Sequence, residues 1–355
     1  MIESGTGNLL KADVEALVNT VNCVGIMGKG IALQFKQAYP ENFKCYEKAC
    51  RAKQVQPGKM FIVPTNRLLN PKFIINFPTK RHWKGKSKIE DIMAALDTLI
   101  LKIQELSISS IAIPPLGCGN GGLNWCDVKP LIEHAFEKVP TVRVLLYEPN
   151  GAPEPMDMPV GTEPPSLTRA RAMLIRLIEI YGIPGYDLTI LEIQKLAYFL
   201  QASGEPLRLL YVKEKFGPFA NNLNHVLQRL EGHFIRGYGD HAAVDTQIHT
   251  LPGVSETAEQ FLQLHPDAFQ RLARVSKLID GFETPYGMEL LATVHWIATH
   301  EDTLAATQCD RAVSGVQAWS QRKSCLFKAK HIEKAWQRLQ AQNWLQPAPA
   351  PAEHP

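Results

Sequence analysis

The sequence has no CxxC pair, and no apolar run approaches the about 18 residues of a membrane span. It also lacks the N-terminal basic and apolar segments of a secretory signal. Its seven cysteines, an odd number, are scattered, which favours a reduced chain over a disulfide framework. We therefore expect a soluble, cytoplasmic protein without a membrane partner.

Acidic residues are missing from one long segment. Residues 48–89 contain 11 Lys and Arg and no Asp or Glu. A basic tract of this length suits a polyanion such as a nucleic acid. The alternative is a solvated, lysine-rich face without a partner.

A proline-rich segment divides the chain into two halves. Residues 1–150 alternate strand and helix patterns, whereas residues 166–345 consist mainly of amphipathic helical segments. Residues 151–165 read as an extended linker, and the Pro/Ala-rich residues 346–355 read as a disordered tail.

The first half has the pattern of an α/β domain. Alternating strands and helices predict a mixed sheet covered by helices on both faces, which is a three-layer α/β/α arrangement. In the second half we expect one hairpin near 208–218 among helices. The predicted strands are 16–22, 59–65, 72–78, 110–116 and 141–148, and the longer predicted helices include 31–39, 44–53, 89–106, 256–280, 288–306 and 328–344.

Two glycine-rich loops follow predicted strands, at 25–35 and 116–125. The first is not a phosphate-binding Walker loop, because Ile31 follows its last glycine, and it is not GxGxxG, because Leu33 fills the third place. Glycine loops that lead into helices let backbone N–H groups approach an anion. They favour a diphosphate ligand over plain turn chemistry.

The motifs of the first half resemble those of the macrodomain family, which binds ADP-ribose. They are GNLLKADVEALVNTVNCVGIMGKGIALQF (7–35), FPTK (77–80) and IPPLGCGNGGLNW (113–125). The most similar branch includes the terminal ADP-ribose glycohydrolases and the DNA ADP-ribosyl glycohydrolase antitoxins of the DarTG type. The resemblance covers residues 1–149. It implies the macrodomain fold, ADP-ribose as the product, and no cofactor.

The resemblance also assigns roles to residues. Lys80 falls on the catalytic lysine of that branch, and Asn22 would hold the distal ribose as the second catalytic residue. Asn8 stands where many macrodomains carry an acid that contacts adenine. The expected ligand contacts are Asn8, Leu9, Thr20, Val21, Gly28, Lys29, Gly30, Ile31, Ala32, Thr79, Gly117, Cys118, Gly119, Asn120 and Gly121.

The chemistry of Lys80 is left open by the sequence. Eukaryotic relatives carry an acid shortly after Gly-Cys-Gly, but Asn120 and Gly121 stand here. Cleavage would then depend on Lys80 without a carboxylate partner. The amine could act as nucleophile, as base or, when protonated, as a stabiliser of the departing base.

Side chains after Lys80 fit a single-stranded DNA channel. Arg81, Lys84 and Lys86 would track phosphates, and Trp83 could stack on a base. The alternative for Trp83 is a core position. Cysteines in the loops have no zinc-ligand spacing, so we expect no metal site.

The second half resembles, more weakly, the Panacea-type domain that accompanies antitoxins. The matching segments are LEIQKLAYFLQ (191–201) and KFGPFANNLNHVL (215–227). This resemblance implies that residues 166–345 bind a toxin. The alternative is a plain helical core.

Together these features predict an antitoxin enzyme. It would remove ADP-ribose from DNA, on thymidine bases of single strands, and so reverse a partner ADP-ribosyltransferase toxin. One alternative is a non-catalytic macrodomain that sequesters a toxin, and another is a hydrolase of protein ADP-ribosyl esters or O-acetyl-ADP-ribose. Lys80 favours the enzyme, since a protein that only binds ADP-ribose does not need this residue.

Overall fold

A computed structural model describes residues 1–149, 158–182, 188–239 and 247–345. The chain forms two compact units. The first contains the described residues up to Pro164 together with Gly239, and the second contains the other described residues from Pro165 onward. The predicted tail and the first part of the predicted linker lie outside the described residues.

The first unit is built on a six-stranded mixed sheet with the strand order β1-β6-β5-β2-β4-β3. All neighbouring strands are parallel except β3 and β4. The strands are β1 (Ile2–Gly5), β2 (Ala16–Asn22), β3 (Phe61–Pro64), β4 (Phe73–Lys80), β5 (Ser110–Ile113) and β6 (Arg143–Tyr147).

Helices cover both faces of this sheet, because side chains alternate between two cores. One core packs against α3 and α4, and it takes Ala16, Val18, Ile75, Phe77, Ile111 and Ile113 from the strands. The opposite core contains the intervening residues Leu17, Ile74 and Ala112, packed against α1. The helices are α1 (Gly30–Ala38), α2 (Pro40–Arg51), α3 (Ile89–Glu105) and α4 (Trp125–Phe136). The predicted three-layer arrangement is thereby confirmed.

The second unit is largely helical, as predicted. Its β-structure is a hairpin of β7 (Tyr211–Glu214) and β8 (Gly217–Ala220) and a short pair of β9 (Ile235–Arg236) and β10 (His249–Thr250). Its α-helices are α5 (Arg169–Gly182), α6 (Ile190–Ala202), α7 (Leu223–Leu230), α8 (Val254–Gln263), α9 (Pro266–Ile279), α10 (Pro285–Trp296), α11 (Cys309–Trp319), α12 (Gln321–Leu326) and α13 (Ala329–Ala341). No described helix is long and apolar enough to cross a bilayer.

Several boundaries differ from the sequence prediction. The single helix expected over 256–280 is two helices, because Pro266 begins a new helix instead of continuing the old one. The helix expected over 288–306 ends as an α-helix at Trp296 and continues as a π-helical and then a 3₁₀ segment. The first strand and the two helices between 309 and 326 were not predicted.

Candidate active site

The carboxyl ends of two central strands define the site. In the pairing of β2 with β4, Asn22 lies opposite Lys80, after an irregularity between Val21 and Asn22. The prediction that the strand ends at Pro78 was wrong, because pairing with β2 continues to Lys80. The catalytic candidate therefore extends from the last residue of a paired strand and not from a loop.

Asn22 organises the loop that follows it, which we call the first loop (residues 23–29). Its side-chain oxygen accepts hydrogen bonds from the N–H groups of Val24 (3.0 Å) and Ile26 (3.3 Å), and its side-chain nitrogen donates to the Ile26 carbonyl. The hydroxyl of the fully buried Tyr46 donates to the Asn22 carbonyl at 2.6 Å. Asn22 thus shapes the loop, and its contact with a ribose stays a prediction.

The glycine loop (residues 116–124) presents backbone donors. Its turns are closed by the bonds from Gly122 N–H to Gly119 O (3.0 Å) and from Leu123 N–H to Gly117 O (3.1 Å). Within the described residues, the N–H groups of Gly119, Asn120 and Gly121 have no acceptor. Consecutive free N–H groups of this kind form a concave anion-binding nest.

The first loop adjoins the glycine loop. A Cβ placed on Gly30 would lie 3.4 Å from the side-chain nitrogen of Asn120. The N–H groups of Gly28 and Lys29 also have no acceptor among the described residues, whereas that of Gly30 donates to the carbonyl of Gly239 (2.5 Å). Gly30 begins α1, whose N-terminal dipole favours negative charge. The two loops together can hold a diphosphate.

Lys80 reaches from the strand end to the glycine loop, where its ammonium donates to the Asn120 carbonyl. Partial burial, followed by the charge of Lys86, lowers the pKa of Lys80 below its usual value. Both effects disfavour the charged form. No carboxylate of the described residues pairs with Lys80, so the amine keeps a raised neutral fraction.

The segment after Lys80 supports the glycine loop. The Ser87 N–H donates to the Gly121 carbonyl at 3.0 Å, and the buried Ser87 hydroxyl has no hydrogen-bond partner among the described residues. The Lys86 amine lies 2.9 Å from the position that a Cβ on Gly122 would take. Sequence reasoning missed Ser87, because nothing in its local pattern distinguishes it from a loop serine.

The basic segment differs from its prediction in two ways. Arg81 forms a bidentate ion pair with Asp91, at 3.0 and 3.2 Å. The basic segment therefore has an acidic neighbour in the folded chain, although its own sequence contains no acid. Trp83 is 44% exposed, which excludes the core position considered for it. The Lys84 amine lies 5.0 Å from the centre of the Trp83 ring. Trp83 and Lys84 therefore offer a stacking surface beside a cation.

The other predicted residues occupy supporting positions. The Asn8 side chain accepts from the Leu10 N–H at 2.9 Å and caps a short 3₁₀ helix that includes the buried Leu9. The hydroxyl of the buried Thr79 donates to the Val21 carbonyl at 3.5 Å, and Thr20 is half-buried. These residues shape the sheet edge, and their ligand contacts stay predictions.

The two loop cysteines, Cys23 and Cys118, are half-buried. Burial raises the pKa of Cys23 and that of Cys118 to about 11. Both thiols are therefore protonated near neutral pH and are poor nucleophiles.

A buried amide cluster that sequence reasoning missed lies behind the site. Asn76 on β4 accepts from Asn19 on β2 (3.0 Å) and exchanges hydrogen bonds with Asn42 on α2 (2.7 and 3.2 Å). One sequence feature could have indicated this cluster, because each of the two apolar strands contains an asparagine. The cluster ties α2, and with it Tyr46, to the strands that carry Asn22 and Lys80.

The packing of the glycine loop predicts different effects for two alanine substitutions. In Gly121→Ala, the new Cβ would lie 2.2 Å from the Gly117 carbonyl and 2.3 Å from the Ser87 hydroxyl. We expect a loss of about 1–3 kcal/mol in the free energy of unfolding, as for other overpacked sites. Gly119→Ala is the matched control, because its Cβ would meet no atom of the described residues within 4 Å. Equal unfolding midpoints for both variants in urea would contradict this loop geometry.

Comparison with known proteins places the chain in a family. The macro domain family profile matches residues 18–132. A DNA ADP-ribosyl glycohydrolase of Thermus aquaticus is 47% identical over 348 residues, which are 98% of this chain and 95% of the relative.

Two further relatives match less than half of the chain. The solved macrodomain of Mycobacterium tuberculosis DarG is 59% identical, and the match covers 42% of this chain and 99% of that one at a TM-score of 0.42. A DNA ADP-ribosyl transferase-DNA ADP-ribosyl glycohydrolase fusion protein of Thermosipho africanus is 32% identical over 158 residues, or 40% of each chain. From its match along nearly the full length of the Thermus aquaticus protein, this chain belongs to the DNA ADP-ribosyl glycohydrolase family of macrodomain proteins.

Proposed function

We propose that the first unit removes ADP-ribose from DNA by cleaving the glycosidic bond between the distal ribose and a base. The observation that carries this proposal is the Lys80 amine, held at the glycine loop without a carboxylate partner in the described residues. The free N–H groups of both loops would hold the diphosphate. This would fix the adjoining ribose near the amine, a positioning that itself lowers the barrier.

We further propose that Lys80 acts as the neutral amine. Burial and the charge of Lys86 lower its pKa, which activates a lysine as nucleophile or base. As nucleophile it would attack the anomeric carbon while the electron pair of the C–N bond leaves with the base, and water would then cleave the new bond to the lysine, which releases ADP-ribose and restores the amine. As base it would take a proton from an attacking water.

The preference for single strands would come from the exposed segment after Lys80. Trp83 offers a face on which a base can stack, and Lys84 and Lys86 offer charge to phosphates. Arg81 contributes less than predicted, because Asp91 already neutralises it. That the modified base is thymidine is a further proposal, which the DarTG resemblance alone supports.

The first test removes the amine. We expect Lys80→Ala to keep ADP-ribose binding but to lower release of ADP-ribose from modified single-stranded DNA by a factor of about 100 to 10,000. Lys138→Ala, which removes an exposed lysine paired with Asp97, is the matched control and should retain full turnover. Wild-type turnover by Lys80→Ala would reject the assignment. Release from ADP-ribosylated protein but not from DNA would favour the ester hydrolase instead.

The second test uses pH. If the neutral amine reacts, kcat rises with pH and levels off above the pKa of Lys80. Lys86→Met removes a positive charge that lowers this pKa, so we expect the inflection to move to higher pH. Lys84→Met is the control, because it removes a neighbouring cation that does not act on the pKa of Lys80. If kcat instead falls as the pH rises through the pKa of Lys80, the ammonium form is the reactive one.

We also propose that residues 166–345 form a separate domain that binds a DNA ADP-ribosyltransferase toxin. The Thermosipho africanus relative supports a link between the two activities, since it joins a transferase and a glycohydrolase in one chain. Binding would let the chain block the transferase as well as reverse its product.

A catalytically inactive chain can test this binding. We expect the full chain with Lys80→Ala to inhibit the transferase on single-stranded DNA near one-to-one stoichiometry. The same variant cut after Pro164, and shown to be folded by its melting curve, should not inhibit. Equal inhibition by both chains would assign toxin binding to the first unit.

A further inference from the structure

A short segment after β6, residues 158–161, packs against the first unit, and we call it the strap. Met158 is 6% exposed, and its sulfur accepts a hydrogen bond from the side-chain nitrogen of Asn8 at 3.5 Å. Further along, the Gly161 N–H donates to the Gln37 carbonyl at 2.8 Å. All residues of the strap belong to the first unit. The strap therefore joins the segment after β1 to the last turn of α1.

The strap is held closely at both of its ends. A Cβ on Gly161 would lie 2.7 Å from the Ala38 carbonyl oxygen, so the chain can lie this near to α1 only because a glycine stands there. At the other end, the side-chain oxygen of Asn8 accepts from the Leu10 N–H at 2.9 Å, while its nitrogen donates to Met158. These two contacts fix the direction of the Asn8 amide.

The sheet places Asn8 on the side of the site that lies away from Lys80. Lys80 ends β4, and the strands that follow across the sheet are β2, β5, β6 and β1. The carboxyl ends of these parallel strands share one edge. Since neighbouring strands lie about 4.8 Å apart, the ends of β6 and β1 are roughly 14 to 19 Å from that of β4. Asn8 follows the last residue of β1 by three positions.

This direction is the one that the adenosine end of ADP-ribose has to take. In the proposed function the distal ribose lies at Lys80, and the diphosphate lies at the loops that follow β2 and β5. The adenosine is attached to the other end of the diphosphate, so it extends away from β4 towards β6 and β1. Along this path, Ile31 at the start of α1 and Tyr147 at the end of β6 pack against the hydrophobic cluster that contains Leu9. The wall is thus continuous from the loops to Asn8.

We propose that the strap completes the adenosine end of the ADP-ribose site and that Met158 is a positioning residue there. Met158 would act through Asn8, because its own side chain is buried. The strap would hold Asn8 in place before the ligand binds, and binding then avoids the cost of ordering this wall. The inference rests on the proposed binding of ADP-ribose between the two loops, and it adds the wall at the adenosine end.

The position of the strap predicts which kinetic constant it affects. The strap lies at the end of the ligand opposite to the bond that breaks at Lys80. Loosening it would weaken the binding of the ground state and of the transition state alike, which raises KM and leaves kcat unchanged. A variant that only destabilised the fold would instead reduce the amount of active enzyme, so its apparent kcat would fall at an unchanged KM.

The test uses the full chain and loosens the strap in two independent ways. Met158→Ala removes the side chain that holds Asn8, and Gly161→Ala places a Cβ against the Ala38 carbonyl while it leaves Met158 and Asn8 intact. We expect each variant to bind ADP-ribose more weakly in a calorimetric titration, by a factor of about 3 to 10. The KM for ADP-ribosylated single-stranded DNA should rise by a similar factor at an unchanged kcat.

Each variant has a matched control. Met93→Ala changes an exposed methionine on α3, and Gly182→Ala, at the end of α5, adds a Cβ that would meet no atom of the described residues within 4 Å. Both controls should keep the wild-type affinity for ADP-ribose and the wild-type KM. Wild-type affinity in either Met158→Ala or Gly161→Ala, or a fall in kcat at an unchanged KM, would overturn the role of the strap and leave the proposed function standing. If the unaltered chain did not bind ADP-ribose, the proposed function would fail, and the strap proposal with it.

Discussion

The pairing of β2 with β4 is the constraint on which the first unit depends. It places Asn22 beside Lys80, so one strand end shapes the first loop while the other carries the amine. Val18 and Phe77 fix the register, because both are buried on the same face of the sheet. A slip by one residue would turn these side chains to the opposite face and Lys80 away from the glycine loop.

Lys80 also acts on the backbone that would hold the anion. In a trans peptide the carbonyl and the following N–H point in opposite directions. The bond from Lys80 to the Asn120 carbonyl therefore directs the free Gly121 N–H away from the amine. From the other side, Ser87 holds the Gly121 carbonyl. The same side chain thus carries the amine that we propose to react and helps to orient a donor that would hold the diphosphate.

Much of the first unit could be predicted, since its signals are local. Alternating apolar residues indicated the central strands, and clustered glycines indicated the loops at their carboxyl ends. Spatial neighbours could not be predicted in this way. Arg81 lies within a tract of 42 residues without an acid, yet α3 begins at Ile89 and brings Asp91 back beside it. A stretch that lacks acids in sequence is therefore not free of them in space.

The burial of Lys195 is a second feature that the sequence could not predict. In sequence it is a polar residue within an amphipathic helix, beside Leu196 and Ala197, and such a lysine is expected at the surface. The hairpin of β7 and β8 places the Pro218 carbonyl against α6. The Lys195 amine donates a hydrogen bond to this carbonyl and is buried there. Burial lowers the pKa of Lys195 as it does that of Lys80, and Lys80 lies beside the glycine loop that we propose to hold the diphosphate. Desolvation lowers the pKa of both amines, and the groups around each amine decide what it can bind or cleave.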